Sequence, residues 1–78
     1  MHLNNFVKSN LYNMDDQIKQ IAERLIGLRD ALDIDIKDMA ETCGVTEEIY
    51  KGYESGNIDI PVSTLHQISI KYGVDLSA

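Results

Sequence analysis

The chain has no tryptophan, one cysteine, one proline and five glycines in 78 residues. A single cysteine, Cys43, excludes an intrachain disulfide, and no C-x-x-C or clustered Cys/His spacing offers a structural metal in its place. With neither staple, a chain of this length depends on close packing alone for its stability. Apolar runs near the roughly 20 residues that span a bilayer are absent too. Residues 1–7 lack the basic and apolar blocks of a signal peptide, and the compartment expected is a reducing cytoplasm. Positive charge is scarce: seven bases face thirteen acids, a net charge of −6. That balance keeps a small domain soluble, but it sits awkwardly with phosphate binding, which usually brings a basic face.

What is present is helical spacing. Ile18, Ile21, Leu25, Leu28 and Leu32 step by 3, 4, 3 and 4, the signature of one apolar helix face. Leu11 and Met14 continue the steps backwards. The spacing reads as core packing, since a coiled-coil seam needs three or four sustained heptads. Residues 1–13 hold four asparagines, Lys8 and no acid, and are expected to be a flexible extension, with the folded domain over 14–78 and Asn13 or Asp15 capping its first helix.

Asp35 is placed to cap a second helix, on which Ile36, Met39, Ala40 and Cys43 share a face, and Gly44 ends it. Thr46 caps a third helix over 47–55 carrying Ile49, Tyr50 and Tyr53, with Gly52 an interior weakness of about 1 kcal/mol. Pro61 opens a fourth, with Val62, Leu65, Ile68 and Tyr72 as its stripe, and Asp75 reads as the cap of a truncated fifth. The expected fold is all-α, a bundle of four to five helices. Its expected core is Ile21, Leu25, Leu28, Leu32, Met39, Ala40, Val45, Tyr50, Leu65 and Ile68.

Two short helices joined through Gly44 within such a bundle form a helix-turn-helix. In that arrangement the first helix braces the second, whose N-terminal residues reach base edges in the major groove. The motifs Leu28-Arg29, Met39-Ala40-Glu41, Gly44-Val45-Thr46, Tyr53-Glu54-Ser55-Gly56, Leu65-x-x-Ile68 and Tyr72-Gly73-Val74 resemble, in order and spacing, the lambda-repressor-like (XRE or Cro-type) domain over 25–76. The resemblance implies a sequence-specific DNA-binding domain of a bacterial transcription regulator, with the motif at about 36–55. It implies an operator in double-stranded DNA as partner and a homodimer in a longer parent. Gly44-Val45-Thr46 and Pro61-Val62-Ser63 also resemble a subgroup in which a cupin-type sensor domain follows.

Carried over, the resemblance makes Thr46, Glu47, Glu48, Ile49 and Lys51 the exposed recognition positions and Lys37 a phosphate contact. It makes Arg29 and Glu54 an ion pair between the first and third helices. Two departures stand out. Ile36 takes the place of a frequent glutamine, and the recognition helix opens Glu47-Glu48. Between Ile34 and Ile60 there are seven acids and two bases. The rival reading is a protein-interaction module that keeps the fold and has lost DNA affinity. Nothing suggests catalysis or a cofactor: Cys43 reads as a small core residue, His2 and His66 are isolated, and no nucleophile has a base beside it.

Overall fold

The computed structural model describes the backbone of residues 2–76 and the side chains of 16–76. Four helices follow one another: α1 (His2–Leu32), α2 (Ile36–Cys43), α3 (Glu47–Ser55) and α4 (Val62–Tyr72). No strand occurs among the described residues. Nor is any helix of the described residues long and apolar enough to cross a membrane. A fifth helix does not begin by Leu76, and the one expected after Asp75 falls outside the described residues.

The first helix is longer than its expected start at residue 14. It runs through Asn13 and Asp15, so neither caps it, and the backbone of 2–13 is helical rather than irregular. Neither proline nor glycine interrupts the chain before Gly27, and Leu11 and Met14 keep the 3,4 spacing. At about 1.5 Å per residue this helix accounts for the longest dimension of the molecule, 47 Å against 24 and 21 Å. It ends where Asp33 takes a left-handed conformation (φ 56°) and Ile34 N–H donates back to the Arg29 carbonyl at 2.9 Å. Aspartate tolerates that region better than most residues.

The buried core is Ala22, Leu25 and Leu28 of α1, Met39 and Ala40 of α2, Tyr50 and Tyr53 of α3, Ile60, Leu65 and Ile68 of α4 and its approach, and Leu76. Ile21 and Val45 pack against it half-buried. Two expectations fail, both at helix ends. Leu32 is 50% exposed; it is the last residue of α1, and beyond the turn Ile34 and Ile36 supply the apolar cover instead. Val62 is 80% exposed, because Ile60, two residues earlier, fills the inward position at that end.

Gly52 has a steric purpose that its helix propensity hides. The backbone N–H groups of Asn57 and Ile58 both donate to its carbonyl at 3.1 Å. That pins Ile58 over the helix, where a Cβ on Gly52 would lie 2.7 Å from Ile58 Cγ1.

One polar contact ties α1 to α3. Arg29 Nε donates to Glu54 Oε2 at 2.6 Å and Nη2 to Oε1 at 3.0 Å, while Nη1 reaches the Ile34 carbonyl at 3.3 Å. The two side chains are only 25% and 11% exposed. The hydrogen bonds to Glu54 outweigh desolvation and raise the Arg29 pKa, so the guanidinium stays charged.

Three outcomes follow from this packing. Leu65→Ala, at a site 7% exposed, is expected to lower stability by about 2–5 kcal/mol in chemical denaturation. Gly52→Ala, which in an open helix gains about 1 kcal/mol, is expected to lower the melting temperature here. Adding Ile58→Ala is expected to restore the usual gain. Arg29→Met and Glu54→Gln are each expected to cost about 2–3 kcal/mol, between the values for exposed and buried pairs. At about 4–8 °C per kcal/mol, a melting temperature that stays within 2 °C, roughly a surface change, would show that the pair is not structural.

Candidate nucleic-acid interface

The geometry of α2 and α3 is fixed by local hydrogen bonds. Asp35 accepts from Asp38 N–H at 2.8 Å and starts α2. Gly44 ends it at φ 69°, ψ 31°, a left-handed conformation that glycine adopts without a Cβ penalty. Gly44 N–H donates to the Glu41 carbonyl at 3.1 Å and Val45 N–H to the Ala40 carbonyl at 3.0 Å, closing the helix end. Thr46 Oγ1 then accepts from Ile49 N–H at 3.1 Å and opens α3. Three residues therefore separate the helices, and Val45 among them faces the core. The turn has little freedom left.

Rotation of α3 about its axis is set by two tyrosines. Tyr50 is fully buried and Tyr53 nearly so, their rings edge-to-face at 6.1 Å and 86°. The Tyr50 hydroxyl is buried beside the Arg29–Glu54 pair, which supplies its polar surroundings. Burial, reinforced by the nearby Glu54 carboxylate, pushes its pKa well above the usual phenol range, and it remains a neutral phenol. With these rings inward, the opposite side of α3 is left to solvent. Thr46, Glu47, Glu48, Ile49 and Lys51 are all exposed, Ile49 least so at 39%.

Lys37 is exposed near the start of α2. Arg29 and Glu54 lie behind this surface and hold the far end of α3 rather than contributing to the exposed face. Glu47 and Glu48 occupy the first turn of α3, where carboxylates favour the helix by interacting with its positive end. Neither makes an ion pair among the described residues.

One base is drawn to the motif from outside it. Lys71, near the end of α4, donates from Nζ to Thr42 Oγ1 at 3.1 Å and lies 5.6 Å over the Tyr72 ring. That puts a third cation beside the last turn of α2, a juxtaposition only the α2–α4 packing creates. Arg24 is turned elsewhere and donates to the Leu76 carbonyl at 3.2 Å. Cys43 is half-buried, and burial pushes its thiol up to about 11, away from reactive thiolate behaviour. Among the described residues no three His, Cys, Asp or Glu side chains converge as a metal site.

The arrangement is thus a short helix, a three-residue turn and a second helix with its N-terminal half bare. Comparison with known proteins agrees with it. A family model described as helix-turn-helix matches residues 25–78, whereas no curated protein and no solved structure gives a match. The match spans more than half of the chain and takes in α2, the turn, α3 and α4. The chain therefore belongs to the lambda-repressor-like (XRE-type) helix-turn-helix family, a family of DNA-binding regulatory domains.

Proposed function

We propose that the chain binds double-stranded DNA sequence-specifically, as the DNA-binding domain of a bacterial transcription regulator acting in pairs on a two-fold operator. The N-terminal half of α3 enters the major groove, with Thr46, Glu47, Glu48, Ile49 and Lys51 toward base edges. Lys37 and the free backbone N–H groups at the start of α2 meet phosphates. The observation that carries this reading is the division of α3. Tyr50 and Tyr53 are buried, while Thr46 through Ile49 and Lys51 are exposed at the end held by the Gly44 turn.

Charge shapes how such binding works. Few bases are available for phosphates, so the electrostatic, sequence-independent part of the affinity is small. Carboxylates in the groove repel phosphates on every sequence and are compensated only where a cytosine N4 amino group donates to them. Weak general binding with a sharp preference is the expected pattern. The unpaired Glu47 and Glu48 also favour the rival reading, an acidic surface for a basic protein partner.

Selection of bound fragments from random duplex DNA, followed by fluorescence anisotropy on selected and scrambled duplexes, tests the reading. The slope of log affinity against log salt is expected to be no steeper than about −3, at about −0.9 per phosphate for three lysines. Changing Glu47 and Glu48 to Gln is expected to strengthen binding to scrambled duplex about tenfold by removing repulsion. On the selected duplex the same change will weaken binding if a carboxylate reads cytosine. Failure to enrich any sequence at low salt overturns the DNA reading and leaves the interaction module.

A further inference from the structure

The exposed side of α3 is polar with one exception. Among the described residues from Asp35 to Ser55, Ile49 is the one large apolar side chain left to solvent, at 39% exposure. The core does not hold it. Tyr50 and Tyr53 fill the inward positions of α3, and Ile36, Cys43 and Val45 complete the cover on this side. Nor does the helix call for it, since a β-branched residue loses side-chain freedom there. Ile49 is the third residue of α3, and its backbone N–H donates to the Thr46 cap at 3.1 Å. A branched side chain on a helix keeps one χ1 rotamer about nine times in ten. Its methyl groups therefore project in a defined direction before any ligand arrives. The exposed carboxylates of Glu47 and Glu48 immediately precede it.

We propose that Ile49 reads the C5-methyl group of a pyrimidine in the major groove. The inference rests on the DNA reading above and narrows it to one kind of base. The major-groove edges of the base pairs present hydrogen-bond donors and acceptors, and a C5-methyl group is the apolar feature an aliphatic side chain meets there. Two bases carry that group, thymine and 5-methylcytosine, and the carboxylates beside Ile49 distinguish them. In thymine the methyl group neighbours the O4 acceptor, which a carboxylate oxygen opposes. In 5-methylcytosine it neighbours the N4 amino donor, from which a carboxylate accepts. Ile49 with an adjoining carboxylate thus matches both substituents of 5-methylcytosine, and thymine by the methyl group alone. Methylation of an operator cytosine then strengthens binding, so that the state of the DNA itself regulates the site.

The gain per contact is modest. Removing one methyl-sized group from water is worth about fourfold in affinity. A side chain already confined to one rotamer loses little further freedom on contact, so most of that gain is kept. Phosphate contacts hold the protein on any sequence without distinguishing one from another. A fourfold preference made at a base edge therefore goes entirely into discrimination.

Fluorescence anisotropy of the full chain on the selected duplex, with single bases altered, tests the inference. Deoxyuridine in place of thymine removes the methyl group and leaves the hydrogen-bonding edge unchanged. Where the base is thymine, that change at one position of a half-site is expected to weaken binding about fourfold. Where the base is cytosine, 5-methylcytosine in its place is expected to strengthen binding about fourfold. Either response is expected to vanish in Ile49→Ala, whose melting temperature stays within about 2 °C of the wild type because the side chain is exposed. A wild-type chain indifferent to every added or removed C5-methyl group overturns the inference and leaves the DNA reading standing. A response that persists in Ile49→Ala overturns it as well, by placing the contact on another residue. Failure of any sequence to enrich overturns the DNA reading and this inference with it.

Discussion

Arg29 ties α1 to two other parts of the chain with one guanidinium: Glu54 near the end of α3 through two nitrogens, and the Ile34 carbonyl between α1 and α2 through the third. A planar fork with donors in fixed directions can do this, and a lysine ammonium at the same place cannot. The consequence reaches the far end of α3. A nine-residue helix is too short to be stable by itself, and its direction is defined only if both ends are held. The Gly44–Thr46 turn fixes one end, and Glu54 fixes the other. Between them the buried Tyr50 sets the rotation. Its hydroxyl lies against the same Arg29–Glu54 pair, so the orientation and the anchoring of α3 meet at one place.

How much of this could be read from sequence depends on the range of the interaction involved. Asp35 and Thr46 as caps, and Gly44, Gly56 and Gly73 as left-handed ends, rest on hydrogen bonds that span three to five residues, and the sequence states them directly. The core stripe was legible where helices face one another: Leu25, Leu28, Met39, Ala40, Tyr50, Leu65 and Ile68 are all buried. It failed at Leu32 and Val62, where periodicity continues but the neighbouring element has stopped. The start of α1 was misplaced for the opposite reason. Asparagine-rich composition suggested a tail, while the uninterrupted apolar spacing from Leu11 onward followed the helix. Gly52 looked like a defect because the residue that needs it, Ile58, lies six positions away and outside the helix. Lys71 at Thr42, 29 residues distant, left no local trace at all.

The acidic opening of α3 carries two opposed effects, and their ranges separate them. Within the domain, Glu47 and Glu48 each favour the helix by a few tenths of a kcal/mol to about 1, an effect confined to the first turn. In the proposed complex, the same charges meet a line of phosphates spaced about 1.7 Å along the axis, and the repulsion is felt over a Debye length of about 8–10 Å. Three lysines near the motif do not outweigh that on every sequence. On that reading, affinity for DNA in general is suppressed more than affinity for a site that supplies hydrogen-bond donors at the right places. Specificity is a difference between two affinities, and lowering the wrong one serves as well as raising the right one.

A domain that binds each half-site weakly gains most from being paired. Two linked copies convert the second binding step into an intramolecular one, with an effective concentration set by geometry rather than by the bulk. The contact that links them need not be strong in solution. It must be compatible with both recognition helices and add only in the bound pair. A strong contact would hold the chains together before any site is met, and a weak affinity for each half-site would then contribute less to discrimination between operator and other DNA.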